Sequence, residues 1–197
     1  MIAICTWLLA ATFSAPVQKS VSLLVWSDLH GDPSPRLFAT IDMLREAART
    51  EKQPLLALDA GDAFFGSDLS FLTAGAAQVK VFNVVKPDAM VLGDADFIWT
   101  RARLDSLLGR LKVPVLTTNL RNSLDDAPYG KKDWNLWDFD GFHVGVIGVV
   151  DADIAASYRS TQTQDLRGED PQNRVRDALS ELKDKNADLV VVLSHAG

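Results

Sequence analysis

The chain is nearly without cysteine. Its single thiol, Cys5, lies in the apolar stretch at the start of 197 residues, so the remainder has neither a disulfide framework nor a thiolate metal site. A basic excess is lacking too: Asp and Glu outnumber Lys and Arg by 26 to 20, for a formal net charge of −6. A general nucleic-acid binder needs a basic surface to replace counterions, and this charge argues against that class. No apolar run of about 18 residues occurs beyond the extreme N-terminus, so a multi-span membrane protein is not expected. Internal repeats, low-complexity tracts and linker-like composition are also missing. What remains is an ordinary globular composition, 47% hydrophobic and 23% charged, long enough for one sizeable core.

The N-terminus, Ile2 to Phe13, is apolar and runs into Thr12-Phe13-Ser14-Ala15-Pro16. Small residues there suit signal-peptide cleavage after Ser14, although no Lys or Arg precedes the run. Residues 1–19 are expected to be a signal peptide and leader, and 20–197 the folded domain. A short first strand or the anchor of a longer precursor are the alternatives for the leader. Export to the periplasm or the extracellular space follows from the signal reading, and a mature chain without cysteine fits it.

Along the domain, strands and helices alternate. Leu23 to Ser27 reads as a buried strand, and Ser34-Pro35 as an N-cap with proline at the first helical position. Leu37, Ile41, Leu44 and Ala48 give the following helix one apolar face. Leu55 to Leu58 and Ala89 to Leu92 read as strands, Ala76 to Val85 as a helix. Leu104, Leu107, Leu108 and Leu111 mark the next helix, and Val113 to Thr117 a fourth strand. Arg121 to Lys132 reads as a polar loop. Asp140-Gly141 joins Trp134–Phe139 to Phe142–Val150 as a hairpin. Asp170-Pro171 opens a helix with Val175, Leu179 and Leu182 on one face, and Ala187 to Leu193 is the last strand. Such alternation implies a mostly parallel sheet covered on both faces, with an antiparallel hairpin added.

The chemistry-bearing residues fall at the ends of these strands. Asp28 and His30 follow the first apolar run two residues apart, and strand alternation would point both the same way. Oxygen and imidazole nitrogen together suit Mn, Fe or Zn. Four further apolar runs end at Asp62, at Asp94 with Asp96, at Asn119 and at His195. In open α/β sheets, sites form beyond the carboxyl ends of strands. Several converging carboxylates and imidazoles could hold two cations, with Asp62 bridging through its two oxygens. Two cations would lower the pKa of a shared water and clamp both oxygens of an in-line displacement at phosphorus. Without cations, the clustered carboxylates would repel each other and titrate upward.

Three segments carry a family resemblance: Trp26-Ser27-Asp28-Leu29-His30-Gly31, Leu58-Asp59-Ala60-Gly61-Asp62-Ala63-Phe64-Phe65-Gly66-Ser67, and Val192-Leu193-Ser194-His195-Ala196-Gly197. Together they resemble the calcineurin-like metallophosphoesterases, in particular the periplasmic 5′-nucleotidase branch. Thr118-Asn119-Leu120 and Val144-Gly145-Val146-Ile147-Gly148 are similar to segments of that branch as well, and the match is collinear from about residue 22 onward. The resemblance implies a four-layer α/β/β/α sandwich with mixed, mostly parallel sheets. It implies two divalent metal ions, with Asp28 and His30 on one, Asp62 bridging, and His195 with Asp94 on the second. Asp59 would support its loop, and Asn119 would be structural.

The departures bear on chemistry. The family's G-N-H-E-F-D box falls on Gly93-Asp94-Ala95-Asp96-Phe97-Ile98. Asp94 stands for the asparagine ligand and adds a negative charge. Ala95 replaces the histidine that acts on substrate, and Ile98 the aspartate that orients it. Asp96 is a candidate for substitute proton transfer, on a shorter side chain than the family's glutamate. The family's downstream G-H-x-H segment and C-terminal substrate domain have no counterpart here, so a truncated, incomplete domain is expected. The resulting expectation is a metal-dependent phosphoester hydrolase of the 5′-nucleotidase type, impaired by Ala95 and Ile98, acting on a small phosphorylated substrate such as a nucleotide. The alternatives are a catalytically inactive pseudoenzyme or metal-binding module on the same fold, and a thiosulfonate rather than phosphate substrate. Elsewhere the plainer readings are preferred: His143 as structural or surface, Trp134 and Trp137 as sheet packing, Asp125-Asp126 and Lys131-Lys132 as solvated charges.

Overall fold

The structure, a computed structural model, describes residues 19–158 and 160–196. The stretch read as a signal, with Cys5, lies outside them. In chain order the elements are β1 (Ser22–Trp26), α1 (Pro35–Glu51), β2 (Leu55–Asp59), α2 (Asp68–Thr73), α3 (Ala76–Val85) and β3 (Ala89–Met90), then a 3-10 turn over Asp94–Phe97. There follow α4 (Arg101–Arg110), β4 (Val115–Leu116), β5 (Leu120–Asn122), β6 (Lys131–Lys132), β7 (Trp134–Phe139) and β8 (Phe142–Val150). The last are α5 (Ile154–Ser157), α6 (Ser160–Thr163), β9 (Leu166–Gly168), α7 (Pro171–Asp184) and β10 (Leu189–His195).

Two sheets form the middle of the molecule. The first has strand order β1-β2-β3-β4-β6 with every pair parallel. The second has order β10-β8-β7, parallel between β10 and β8 and antiparallel in the hairpin. Period-two alternation sorts each strand between two cores. Leu56 and Leu58 of β2 join Val144 and Val146 of β8 in the core between the sheets, while Ala57 turns outward beneath Ile41 of α1. On the far side Ile147 of β8 packs against Ala178 and Leu182 of α7. The order is helix, sheet, sheet, helix, as expected. A small antiparallel ribbon, β5 with β9, stands apart from both sheets. Among the described residues no helix is long and apolar enough to cross a membrane.

Local sequence accounts for most boundaries. Asp140 and Gly141 both take positive φ, 52° and 76°, the conformation a two-residue hairpin turn requires. Asp170 caps α7, accepting from the Asn173 amide at 3.0 Å. Ser34 precedes α1 but its side chain caps nothing; instead Asp32 Oδ1 accepts the Ser34 amide at 3.1 Å. The third and fourth strands are only two residues each, shorter than their apolar runs. The segment 121–132 is no mere loop. It includes most of β5 and all of β6, and Arg121 is buried, its Nε donating to the Asp126 carbonyl at 2.8 Å and its Nη1 paired with Asp133. Trp134 and Trp137 pack on the sheet as expected, and His143 sits between Asp138 and Asp188.

Candidate metal centre

The loops after β1 and β2 run side by side beyond their strands. The Ala60 amide donates to the Trp26 carbonyl at 2.7 Å, Asp28 to Gly61 at 3.0 Å, and His30 to Asp62 at 2.8 Å. Asp28, His30 and Asp62 hold φ of 59°, 45° and 56°, a left-handed conformation uncommon outside glycine. β1 ends at Trp26, so strand alternation does not bring Asp28 and His30 together. The hydrogen-bonded left-handed loops do. Non-glycine residues held in this region carry backbone strain, here as at several other turns of the chain.

Asp62 sits in the middle of the resulting cluster. Its Oδ2 lies 3.9 Å from His30 Nε2 and 3.6 Å from His195 Nε2. His30 Nε2 is also 3.7 Å from Asp28 Oδ1, and His195 Nε2 is 3.6 Å from Asp94 Oδ1. Asp28, Asp62 and His195 each offer one ligand atom, all within 4.8 Å of one another. Ser27 Oγ donates to Asp28 Oδ2. An open cleft of about 250 Å³ borders Asp28 and His195. Close pairs thus link the five residues singled out as ligands in one chain, Asp28–His30–Asp62–His195–Asp94.

Neighbouring groups fix the orientation of these side chains. His195 Nδ1 lies 2.8 Å from the Ala60 carbonyl. A carbonyl only accepts, so Nδ1 carries a proton and Nε2 is the ring nitrogen turned toward Asp62 and Asp94. Asp62 Oδ1 accepts the Ala95 amide at 2.8 Å. Gly93 lets the two loops touch: a Cβ there would lie 2.0 Å from Asp62 Oδ1. Burial raises the Asp62 carboxyl above the ordinary carboxylate range, and Asp94 adds to the rise; the Ala95 amide, His195 and His30 oppose it.

Asp59, Asp96 and Asn119 take positions behind the cluster. Asp59 is buried and accepts the Gly61 amide at 2.9 Å. Asp96 is fully buried, with Oδ1 accepting the Phe64 amide at 2.8 Å and Oδ2 the Gly93 amide at 3.0 Å. Both its oxygens are thus engaged with backbone away from solvent, and the geometry gives Asp96 the place of a brace between loops, not of a proton donor to substrate. Asn119 exchanges two hydrogen bonds with Val150, at 2.8 and 2.9 Å, and ties the end of β8. Ala95 offers the cluster only its backbone amide, and the Ile98 side chain is 41% exposed.

Tyr158 was not legible as a site residue. It lies just past α5, outside every motif, and its ring packs on Phe97 with centroids 6.2 Å apart. Burial first, then the charges of Asp94 and Asp62, push its phenol up to about 12. No sequence signal marks it, because only the chain path after β8 carries it to Phe97.

The donor set fits divalent cations: carboxylate oxygens and imidazole lone pairs converge, with the tautomer of one imidazole already fixed. No protein-family model matches the chain. It is 31% identical over 150 residues to a probable 5′-nucleotidase of Treponema pallidum, an alignment covering 76% of this chain and 25% of that protein. Among solved structures, the Thermus thermophilus sulfate thiohydrolase SoxB superposes with a TM-score of 0.81 at 22% identity, covering 94% of this chain and 45% of that one. The Haemophilus influenzae NAD nucleotidase NadN gives 0.76 at 25% identity, over 90% and 34%. The fold is that of the metallophosphoesterases. Within that class the chain belongs with the N-terminal metallophosphoesterase domain of the 5′-nucleotidases. It spans about a quarter of the length of the curated relatives it matches.

Proposed function

We propose that this chain is a metal-dependent phosphoester hydrolase of the 5′-nucleotidase type, with Asp28, His30, Asp62, Asp94 and His195 holding two divalent cations of Mn, Zn or Fe. The observation that carries this is the place of Asp62, whose Oδ2 lies within 4 Å of both imidazoles. When bound, the cations supply Lewis acidity and lower the pKa of a water near phosphorus. Asp28 and His30 form one flank, His195 and Asp94 the other, and Asp62 joins them. The Ala95 amide and the Ala60 carbonyl hold Asp62 and His195 in register before any substrate arrives. The proton relay of the family's histidine has no side-chain substitute at Ala95, so turnover rests on positioning and electrostatics. General acid–base help is worth about 10²–10⁴-fold, and slow turnover is the expected consequence. The substrate is a small phosphorylated molecule, with nucleotides first among candidates because the relatives from Treponema pallidum and Haemophilus influenzae are named for nucleotide hydrolysis. Export belongs to the same reading and requires a mature N-terminus after Ser14.

Ala95 and Ile98 favour one rival: a pseudoenzyme that binds metal without turnover. The likeness to the sulfate thiohydrolase is one of fold, and thiosulfonates remain the alternative substrate class. The deciding experiment measures Mn²⁺ and Zn²⁺ binding by calorimetry together with hydrolysis of p-nitrophenyl phosphate, a nucleotide panel and a thiosulfonate. Hydrolysis that disappears in Asp62→Ala sinks the pseudoenzyme reading. Tight metal binding with no hydrolysis of any phosphate ester sinks the enzyme reading.

A further inference from the structure

Gln78 is out of keeping with its surroundings. It lies in the first turn of α3, on the buried face it shares with Val79, Phe82 and Val85, and is 3% exposed. Glutamine is mostly a surface residue, and here its Oε1 has no hydrogen-bond partner among the described residues. An unpaired buried acceptor costs free energy and calls for a reason. The other end of the amide gives one. Its Nε2 donates to the Gly31 carbonyl at 2.7 Å, across 47 residues of chain. The Ser67 hydroxyl, just before α2, donates to the same oxygen at 2.7 Å. Both lone pairs of that carbonyl are thus engaged, by two donors reaching in from the segment after β2.

Gly31 directly follows His30, and the loop that carries them fits closely against the one after β2. The His30 amide donates to the Asp62 carbonyl at 2.8 Å and the Gly31 amide to Ala63 at 3.1 Å. A Cβ on Gly66 would lie 2.6 Å from that of His30, so there is no slack between the two loops. The two imidazoles are therefore held in different ways. The Ala60 carbonyl steers the His195 ring directly, whereas His30 is steered through its backbone. Its side chain is half exposed, so its direction depends on where the loop places its Cα.

Resting on the metal-dependent reading above, we infer that Gln78 is a positioning residue of the metal centre. Its buried amide grips the Gly31 carbonyl and so fixes the loop that aims His30 at the cation shared with Asp28. Partners that orient a ligand from behind typically matter about 10- to 100-fold in metal affinity.

The test is calorimetric titration of MnCl₂ into the wild-type chain, Gln78→Met and Gln78→Leu, with melting and amide hydrogen exchange measured on each without metal. Both substitutions keep a side chain of similar size and remove the donor together with the unpaired acceptor. The Gly31 carbonyl keeps its bond from Ser67, so no new buried group is stranded. Wild type is expected to bind two Mn²⁺. Each variant is expected to weaken one event about 10- to 100-fold, to leave the other unchanged, and to melt no lower than wild type. Exchange of the His30 and Gly31 amides is expected to quicken, while that of the Ala60 amide stays as it was. A merely structural glutamine would instead lower the melting temperature and weaken both events alike. That result, unchanged affinity, or unchanged exchange at His30 and Gly31 overturns the assignment and leaves the metal-centre reading standing. A wild-type chain that binds no Mn²⁺ overturns that reading, and this inference with it.

Discussion

Gly93 and Ala95 decide, from two residues apart, how Asp62 is held and what it can do. The Asp62 carboxylate reaches its position only because Gly93 has no side chain; a Cβ there would lie 2.0 Å from Oδ1 and 2.5 Å from the Asp62 amide nitrogen. Both obstacles are parts of the site itself, and relief would mean moving the central ligand. Gly93→Ala is expected to abolish Mn²⁺ binding in calorimetry while the far-ultraviolet circular dichroism stays that of a folded chain. Ala95 sets the opposite kind of limit, since its amide anchors Asp62 but its methyl group handles no proton. Ala95→His combined with Ile98→Asp is expected to raise kcat for p-nitrophenyl phosphate by about 10²–10⁴-fold, with KM little changed. No gain would mean that the lost relay is not what limits this protein. At this scale the sequence was readable wherever a residue closes an apolar run: Asp28, Asp62, Asp94 and His195 each follow or end a strand. Tyr158 was not readable, because nothing local distinguishes a tyrosine packed on Phe97 from one on any surface.

Among elements, the strong hydrophobic periods were legible and the short pieces were not. The hairpin Trp134–Phe139 with Phe142–Val150 and the helix Ala76–Val85 appear with the boundaries their patterns indicate, because each buries a regular face. The strands β3 and β4 shrink to two residues. Their apolar runs are buried as wholes, so hydrophobicity alone does not mark where pairing stops. The ribbon β5–β9 was missed because each strand is three residues long and adds a single leucine, Leu120 or Leu166, to the core, while charged side chains hold the rest. Arg121 is 7% exposed; it pairs with Asp133, which also meets Arg174 Nη2 at 3.4 Å, and donates to the Asp126 carbonyl at 2.8 Å. Arg167 extends the network to Asp126 and Glu169. Removing one member of a buried pair costs about 3–5 kcal/mol. Asp133 is partly exposed and keeps Arg174, so we expect Arg121→Ala to cost less, about 2–3 kcal/mol by urea denaturation. Arg121→Lys should recover little of it, since one ammonium cannot span the positions that the guanidinium fork reaches. A loss under about 0.5 kcal/mol, the size of an ordinary surface substitution, would show the network to be ornamental.

For the molecule as a whole, the carboxylates behind the site link folding, pH and metal. Asp96 is raised from 3.8 to about 7 in the folded protein, chiefly by burial. Asp59 is raised well above the same starting value, again by burial, with the Trp26 indole and the Gly61 amide opposing. Between pH 3.8 and about 7 the folded chain therefore keeps protons that the unfolded chain has released. Stability falls as pH rises wherever the native state binds more protons. For metal-free protein this predicts a melting temperature that declines from pH 5 toward pH 7.5. Asp59→Asn retains the acceptor for Gly61 and removes one contributor, so its decline should be shallower. Cations reverse the balance at the cluster itself. Asp62 must lose its proton to act as a ligand, so binding strengthens as pH rises. At a free Mn²⁺ concentration of about 100 times Kd, one site adds about 2.7 kcal/mol, which is roughly 5–10 °C in Tm for a chain of this size. That increment is expected at pH 7.5, smaller at pH 5.5, and absent in Asp62→Ala at either pH. An equal increment in Asp62→Ala would move the metal away from this cluster, however well its geometry suits one.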